Sequence, residues 1–105
     1  MAIATINPAT GELIRTFEPL NDTEIGAKID LAQQVFLKYR HTSFETRSHL
    51  LSKVAEILEQ DKAKFAALMT LEMGKTYKSA IAEVEKCALV CRYYAETAPQ
   101  FLADN

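Results

Sequence analysis

Long apolar runs and blocks of positive charge are both missing from this sequence of 105 residues. No run of about 18 apolar residues occurs, so we expect no segment that spans a membrane. The start, MAIATINPATGELI, has no basic residues leading into an apolar core, so we expect no signal peptide. Twelve Lys and Arg are mixed with fourteen Asp and Glu, which argues against nucleic acid or an anionic membrane as a partner. These absences predict a soluble, cytoplasmic protein.

Cysteine is scarce, and the two thiols that occur, Cys87 and Cys91, lie four residues apart. On a helix their Cβ atoms are about 5–6 Å apart, whereas a disulfide needs about 3.8 Å. We therefore expect two reduced thiols that pack as small, half-buried hydrophobic side chains. His41 and His49 are distant in sequence, so neither a metal ligand set nor a general base stands beside the thiols. We predict no metal site and no catalytic cysteine.

Glycine is equally scarce, which argues against a phosphate-binding loop at Gly74 and Lys75. Such a loop needs several glycines before the lysine, but the preceding residues, TLEM, favour a helix. We expect a helix that Gly74 ends in a left-handed conformation. Glu83 and Glu85 are two residues apart and point away from each other on a helix, so they do not form a catalytic pair. We expect a solvated face there, with a weak ion pair between Glu83 and Lys86.

The residue pattern changes once, after a short β-rich start. β-branched residues on both sides of NPATGE predict a β-hairpin over residues 3–17, with a loop of about four to five residues. From there apolar residues recur every three or four positions, which predicts helices over residues 22–102. The predicted fold class is mostly α, with an N-terminal β-hairpin followed by about four amphipathic helices, in a single partial domain over residues 1–105.

Local signals mark the predicted helix ends. We expect Asn21, Asp22 or Thr23 to cap the first helix and Ser43 to cap the second. A break near Asp61 precedes the third helix. The fourth helix runs from about Tyr77 to Phe101, and Pro99 ends or kinks it.

Each predicted helix carries one apolar stripe suited to packing. The stripes are Ile25, Ile29, Ala32, Val35, Phe36 and Tyr39 in the first; Leu50, Leu51, Val54, Ile57 and Leu58 in the second; and Ile81, Val84, Ala88, Cys91 and Ala95 in the fourth. In the third helix we expect a buried side made of Phe65, Leu68, Met69 and Leu71 or Met73. A lone hairpin is marginal in water, so we expect it to lie on another part of the protein.

Three segments resemble one family in particular. TINPATGELI (residues 5–14), EMGKTYKSAIAEVEKC (72–87) and CRYYAE (91–96) are similar to the N-terminal region of the NAD(P)-dependent aldehyde dehydrogenase superfamily, and most similar to its succinate-semialdehyde dehydrogenases. The resemblance implies that the chain belongs to the α/β aldehyde dehydrogenase fold, as the N-terminal part of a cofactor-binding domain. It also implies a full-length enzyme that oxidises an aldehyde, here succinate semialdehyde, to the acid with NAD or NADP.

The resemblance implies equally that the catalytic residues lie elsewhere. Aldehyde dehydrogenases of this type are about four to five times longer, and their catalytic cysteine, glutamate base, oxyanion asparagine and dinucleotide-binding unit all follow the point where this sequence stops. Neither Cys87 nor Cys91 matches the family's nucleophile, so no catalytic or cofactor-binding residue carries over. In the family the long helix after Gly-Lys borders the substrate entrance, which implies an entrance lining of Glu83, Lys86 and Cys87.

Two hypotheses follow for this chain. In the first, it is the N-terminal fragment of an aldehyde dehydrogenase. On its own it is inactive and binds no cofactor, and its apolar faces pack against its partner, the remainder of the enzyme chain. In the second, it is a free-standing helical protein that binds a partner or self-associates as a homo-oligomer, and its stripes close into a bundle or an oligomer. The extent of exposed apolar surface distinguishes the two.

Overall fold

A computed structural model describes residues 3–104 and shows a β-hairpin followed by four helices. In chain order the elements are β1 (Ile3–Ile6), β2 (Leu13–Phe17), α1 (Asp22–Tyr39), α2 (Phe44–Gln60), α3 (Lys62–Met73) and α4 (Tyr77–Phe101). The predicted fold class, mostly α with an N-terminal hairpin, is confirmed. That residues 1–105 form one partial domain stays a prediction, and its ends at residues 1, 2 and 105 lie outside the described residues.

The hairpin pairs β1 and β2 antiparallel, with Ile3 opposite Phe17. Residues 7–12 lie between the two strands, and a backbone hydrogen bond between Asn7 and Glu12 closes a loop of four residues, 8–11, as predicted. Two backbone hydrogen bonds hold this loop. The Asn7 N–H donates to the Glu12 carbonyl oxygen at 2.9 Å, and the Gly11 N–H donates to the Asn7 carbonyl oxygen at 2.8 Å. Gly11 has φ +77°, a conformation that glycine adopts without steric cost.

Side-chain caps begin α1, α2 and α4. Of the three predicted candidates, Asn21 caps α1: its Oδ1 accepts from the Glu24 N–H, and the Glu24 carboxylate accepts from the Asn21 N–H, both at 2.9 Å. Ser43 caps α2 as predicted, with its Oγ accepting from the Thr46 N–H at 3.1 Å. Thr76 does the same for α4. These bonds join neighbours in sequence, so the helix starts are readable from the sequence alone.

Pro99 lies inside α4 and does not end it. The helix continues beyond the proline to Phe101. The last turn stays closed, because the Leu102 N–H donates to the Ala98 carbonyl oxygen at 2.9 Å. A proline removes one backbone donor, and so close to the helix end few hydrogen bonds remain to be disturbed.

The core lies where α2 and α3 pack against α4. Its buried residues are all small: Ala55, Ala66, Ala80, Val84, Ala88 and Ala95. Half-buried larger side chains surround Val84, namely Leu58, Phe65, Met69 and Ile81. The predicted stripe of α4 is buried or half-buried at every position. The stripe therefore forms the centre of a three-helix unit, α2–α4, whose core is thin.

Part of the predicted apolar surface of α2 and α3 is uncovered. The exposed members are Leu50, Val54 and Ile57 in α2, and Leu68, Leu71 and Met73 in α3. The predicted buried side of α3 is therefore wrong for these three residues, and Met73 is 78% exposed. The physical reason is that α4 covers one side of each helix, where Leu51, Leu58, Phe65 and Met69 are half-buried.

α1 and the two strands of the hairpin stand apart from the three-helix unit. α1 contains no buried residue, and its apolar stripe is exposed throughout. The structure measures 54 × 40 × 23 Å and its radius of gyration is 18.3 Å, whereas a compact domain of this length has a radius of gyration of about 13 Å. Within residues 3–104 the stripes therefore do not close into a bundle, which was one of the two arrangements expected of a free-standing protein.

Candidate functional site

Gly74, at the junction between α3 and α4, has a constrained backbone conformation. Gly74 ends α3 with φ +70°, the left-handed conformation predicted from the sequence. A Cβ at Gly74 would lie 3.1 Å from Cγ of Pro8, which sits in the hairpin loop. Glycine is therefore required here for two reasons, the backbone conformation and the close approach of Pro8. This contact places the hairpin loop on the start of the α4 region.

An ion pair fixes the start of α4 to the junction. The Lys75 ammonium group pairs with the Glu83 carboxylate. The expected pair between Glu83 and Lys86 is wrong, and Lys86 makes no ion pair with any residue between 3 and 104. An exposed pair one turn apart gains little free energy, so it does not hold Glu83, which pairs with Lys75 instead.

The two thiols differ in exposure. Cys91 is half-buried, as predicted, but Cys87 is exposed, so the prediction that both pack as half-buried side chains is wrong for Cys87. Cys87 lies off the centre of the buried side of α4, which Val84, Ala88 and Ala95 occupy. Both cysteines are free thiols.

The three predicted entrance residues come together on one side of α4. Glu83, Lys86 and Cys87 are all exposed. Cys87 lies one turn after Glu83 and Lys86 three residues after it, so their side chains are neighbours on the helix surface. The group presents one paired carboxylate, one cation without an ion-pair partner among the described residues, and one thiol.

Two ion pairs join α4 to α2 and α3. Arg92 donates two hydrogen bonds to Glu59 of α2, at 3.1 Å from Nε and 2.7 Å from Nη2. The Lys62 ammonium group lies 3.0 Å from the Glu85 carboxylate. The hydrogen bonds from Arg92 lower the pKa of the Glu59 carboxyl and raise the pKa of the Arg92 guanidinium. Sequence reasoning missed both pairs, because the partners are 33 and 23 residues apart and no local spacing signals them.

The described residues do not fit a dinucleotide cofactor. Such a site needs a parallel strand, a glycine-rich turn and the N-terminus of a helix. Here β1 and β2 are antiparallel, and the segment between β2 and α1, EPLN, contains no glycine. Within residues 3–104, no group of three His, Cys, Asp or Glu side chains is arranged to hold a metal ion. The site can position helices and present charge.

None of the helices described between residues 3 and 104 is long and apolar enough to cross a membrane.

Family membership decides between the two hypotheses. The whole chain, residues 1–105, matches the model of the aldehyde dehydrogenase family. The chain belongs to the aldehyde dehydrogenase family. The resemblance seen in the INPATGE and LEMGK segments is thereby confirmed, as is the assignment of the fold.

Two relatives of this aldehyde dehydrogenase chain are succinate-semialdehyde dehydrogenases. It is 58% identical over 105 residues to a probable NADP+ succinate-semialdehyde dehydrogenase of Synechocystis sp., covering 100% of this chain and 23% of that protein. It is 54% identical over 106 residues to the NADP+ succinate-semialdehyde dehydrogenase of Mycobacterium avium, of which it covers 22%.

A solved structure agrees with this placement. The succinic semialdehyde dehydrogenase from Streptococcus pyogenes, in complex with NADP+, superposes with a TM-score of 0.91 at 37% identity. The match covers 97% of this chain and 23% of that one. The aldehyde dehydrogenase chain thus spans less than a quarter of the length of the curated relatives it matches. The hypothesis of a free-standing helical protein is set aside, because the relatives contain this whole segment within a larger enzyme.

Proposed function

We propose that this chain forms the N-terminal part of the cofactor-binding domain of an NADP+-dependent succinate-semialdehyde dehydrogenase. The observation that carries the proposal is the identity of 58% over the full 105 residues with the Synechocystis relative. In the complete enzyme the reaction is oxidation of succinate semialdehyde to the acid, with NADP+ as the oxidant. This chain has a structural role in that enzyme, since its described residues do not form a dinucleotide site.

The proposed cofactor is NADP+ rather than NAD+. Both curated relatives described above carry NADP+ in their names, and the superposed structure holds NADP+. The chain alone is proposed to bind neither cofactor, because it lacks the glycine-rich turn that cradles a pyrophosphate.

The exposed side of α4 is proposed to line the substrate entrance through Glu83, Lys86 and Cys87. Succinate semialdehyde carries a carboxylate, and a cation at the mouth of a site attracts an anionic substrate. Glu83 is neutralised by Lys75, whereas Lys86 has no ion-pair partner among the described residues. The net local charge is therefore positive, and Lys86 is the residue of the three that favours an anion.

A chimera tests the proposed function and the proposed supporting role of this chain. In it, this chain replaces the matching residues of the Synechocystis relative, so that a complete enzyme contains all 105 residues. We expect the chimera to reduce NADP+ when succinate semialdehyde is added, and the purified 105-residue chain to show no such activity. NADPH formation by the chain alone would contradict its proposed supporting role, and a folded but inactive chimera would contradict the proposed function.

Charge reversal at Lys86 tests the entrance. In the chimera, Lys86→Glu is expected to raise the KM for succinate semialdehyde about threefold, the size of an exposed charge interaction. The KM for an uncharged aldehyde such as butanal should not change. Lys64→Glu is the matched control, since Lys64 is also exposed and makes no ion pair with a described residue. Equal KM values for the two variants would place Lys86 away from the entrance.

A further inference from the structure

Two lysines compete for the carboxylate of Glu83. Lys86 follows Glu83 by three residues on α4, a spacing at which a carboxylate and an ammonium group can pair on a helix surface. Lys75 precedes Glu83 by eight residues and lies before the first residue of α4, yet its ammonium group makes the ion pair. The cation that is more distant in sequence therefore holds the carboxylate, and the nearer cation does not.

The backbone is held in place on both sides of Lys75. On one side, Gly74 has the left-handed conformation and lies against Pro8 of the hairpin loop. On the other side, Thr76 caps α4, because its Oγ1 accepts a hydrogen bond from the Ser79 N–H at 3.3 Å. Lys75 connects these two fixed residues, so less conformational entropy remains to be lost when its side chain reaches Glu83.

Lys75 is also the less exposed of the two lysines. Its side chain is 39% exposed, whereas Lys86 is an exposed residue. Charges that are partly withdrawn from water are screened less than charges that are fully in water. Glu83 therefore gains more from pairing with Lys75 than from pairing with Lys86, which agrees with the observed choice of partner.

The choice of partner decides whether the Lys86 ammonium group is free. Four positions on α4 lie one turn from Glu83, and they hold Ser79, Ala80, Lys86 and Cys87. Lys86 is the only cation among them. If Lys75 lost its charge, Lys86 would be the remaining partner for Glu83 within one turn. The charges of Glu83 and Lys86 would then cancel, and the ammonium group would no longer be free to meet an anion.

We propose that Lys75 is a specificity-determining residue of the substrate entrance, because it holds Glu83 away from Lys86 and so keeps the Lys86 ammonium group free for the carboxylate of an anionic aldehyde. The proposal rests on the proposed function, which places Glu83 and Lys86 at the entrance. Lys75 acts through Glu83 and does not touch the substrate, so it is a positioning residue. It favours capture of the anionic aldehyde and leaves the chemical step unchanged.

Removal of the Lys75 charge in the chimera tests this role. Lys75→Met is expected to raise the KM for succinate semialdehyde about twofold, the size of a pair one turn apart on an exposed helix surface. The kcat and the KM for butanal should not change, and Lys75→Arg, which keeps the charge, should keep the parent KM. Lys78→Met is the matched control, since Lys78 is exposed and makes no ion pair with a described residue. It removes the same charge near the start of α4 without releasing a carboxylate.

A double variant separates action through Glu83 from a direct role of Lys75. With Glu83→Gln added to Lys75→Met, position 83 has no carboxylate, so Lys86 is free again and the KM for succinate semialdehyde should return to the parent value. A KM that stays raised in the double variant would mean that Lys75 attracts the substrate itself, and would overturn the proposal. An unchanged KM in Lys75→Met would overturn it as well. If Lys75→Met does not give a folded chimera, Lys75→Gln takes its place.

Amine labelling of Lys86 tests the change of partner without using activity. The folded chimera is treated with an N-hydroxysuccinimide ester, and the labelling rate at Lys86 is measured by peptide mass spectrometry. The rate should fall about twofold in Lys75→Met, because a neighbouring carboxylate favours the charged, unreactive form of an amine, and it should recover in the double variant. Equal rates in the parent and in Lys75→Met would overturn the proposal.

The two readouts distinguish this proposal from the proposed function. An active chimera in which Lys75→Met changes neither the KM nor the labelling rate would contradict the role of Lys75 and leave the proposed function intact. A folded chimera without activity, in which the labelling rate at Lys86 still falls in Lys75→Met, would contradict the proposed function and uphold the change of partner.

Discussion

At the scale of single residues, Gly74 shows how one position can serve two purposes. The sequence predicts its left-handed conformation, because a glycine follows the last apolar residue of a helix. It gives no sign that Pro8 approaches within 3.1 Å of the position that a Cβ would occupy. That contact joins parts of the chain 66 positions apart, and only the folded structure brings them together.

Replacement of Gly74 by alanine is expected to destabilise the chain. An L-residue in the left-handed region costs about 1–2 kcal/mol, and the new Cβ displaces the hairpin loop. The free energy of unfolding of Gly74→Ala, from urea denaturation followed by circular dichroism, should fall by at least this amount. Gly26→Ala is the control, because Gly26 lies within α1 with no atom within 4 Å of its would-be Cβ. Equal stability of the two variants would contradict this account of Gly74.

The Glu59–Arg92 pair predicts a pH dependence. The hydrogen bonds from Arg92 lower the pKa of Glu59 in the folded chain, so the unfolded chain binds the proton more readily. The stabilising contribution is therefore complete above the unfolded pKa of about 4.3 and is lost as the pH falls through the lowered folded value. The stability advantage of the parent chain over Glu59→Gln should be present at neutral pH and vanish in acid. A stability difference between the parent chain and Glu59→Gln that stays constant from neutral pH into acid would refute the prediction.

At the scale of elements, periodicity predicts which side of a helix is apolar and not whether a neighbour covers it. The stripe of α4 is covered because small side chains at Ala80, Ala88 and Ala95 allow α2 and α3 to pack closely. The α1 stripe is as regular, yet it is exposed. The starts of α1 and α2 were predictable from the caps at Asn21 and Ser43, and the hairpin loop closes at the predicted length through the hydrogen bond from the Asn7 N–H to the Glu12 carbonyl oxygen.

Overpacking the α3–α4 contact tests the role of these small residues. Ala80 is completely buried beside Ala66 and Val84, so Ala80→Leu should lower the free energy of unfolding by about 1–3 kcal/mol. Ala82→Leu adds the same side chain at an exposed position two residues later, and it should change stability by less than about 0.5 kcal/mol. Thermal unfolding followed by circular dichroism measures both. An unchanged free energy of unfolding for Ala80→Leu would mean that α3 and α4 are not closely packed there.

At the scale of the whole molecule, the described chain is a thin three-helix unit from which α1 and the strands of the hairpin project. Sequence reasoning reached the family through the TINPATGELI, EMGKTYKSAIAEVEKC and CRYYAE segments, and the family match over residues 1–105 confirms it. It could not reach the shape, since the exposure of the α1 stripe depends on which elements pack together and not on local spacing.

The activity of the chimera is the most direct test of the central claim, that this chain is a working part of a succinate-semialdehyde dehydrogenase. NADPH formation is followed by absorbance with succinate semialdehyde as substrate, beside the unmodified Synechocystis relative. We predict kcat/KM within about tenfold of the relative, since a tenfold change corresponds to 1.4 kcal/mol of transition-state stabilisation and we expect no catalytic residue in the replaced segment. A soluble, folded chimera that reduces no NADP+ with this substrate would contradict the claim.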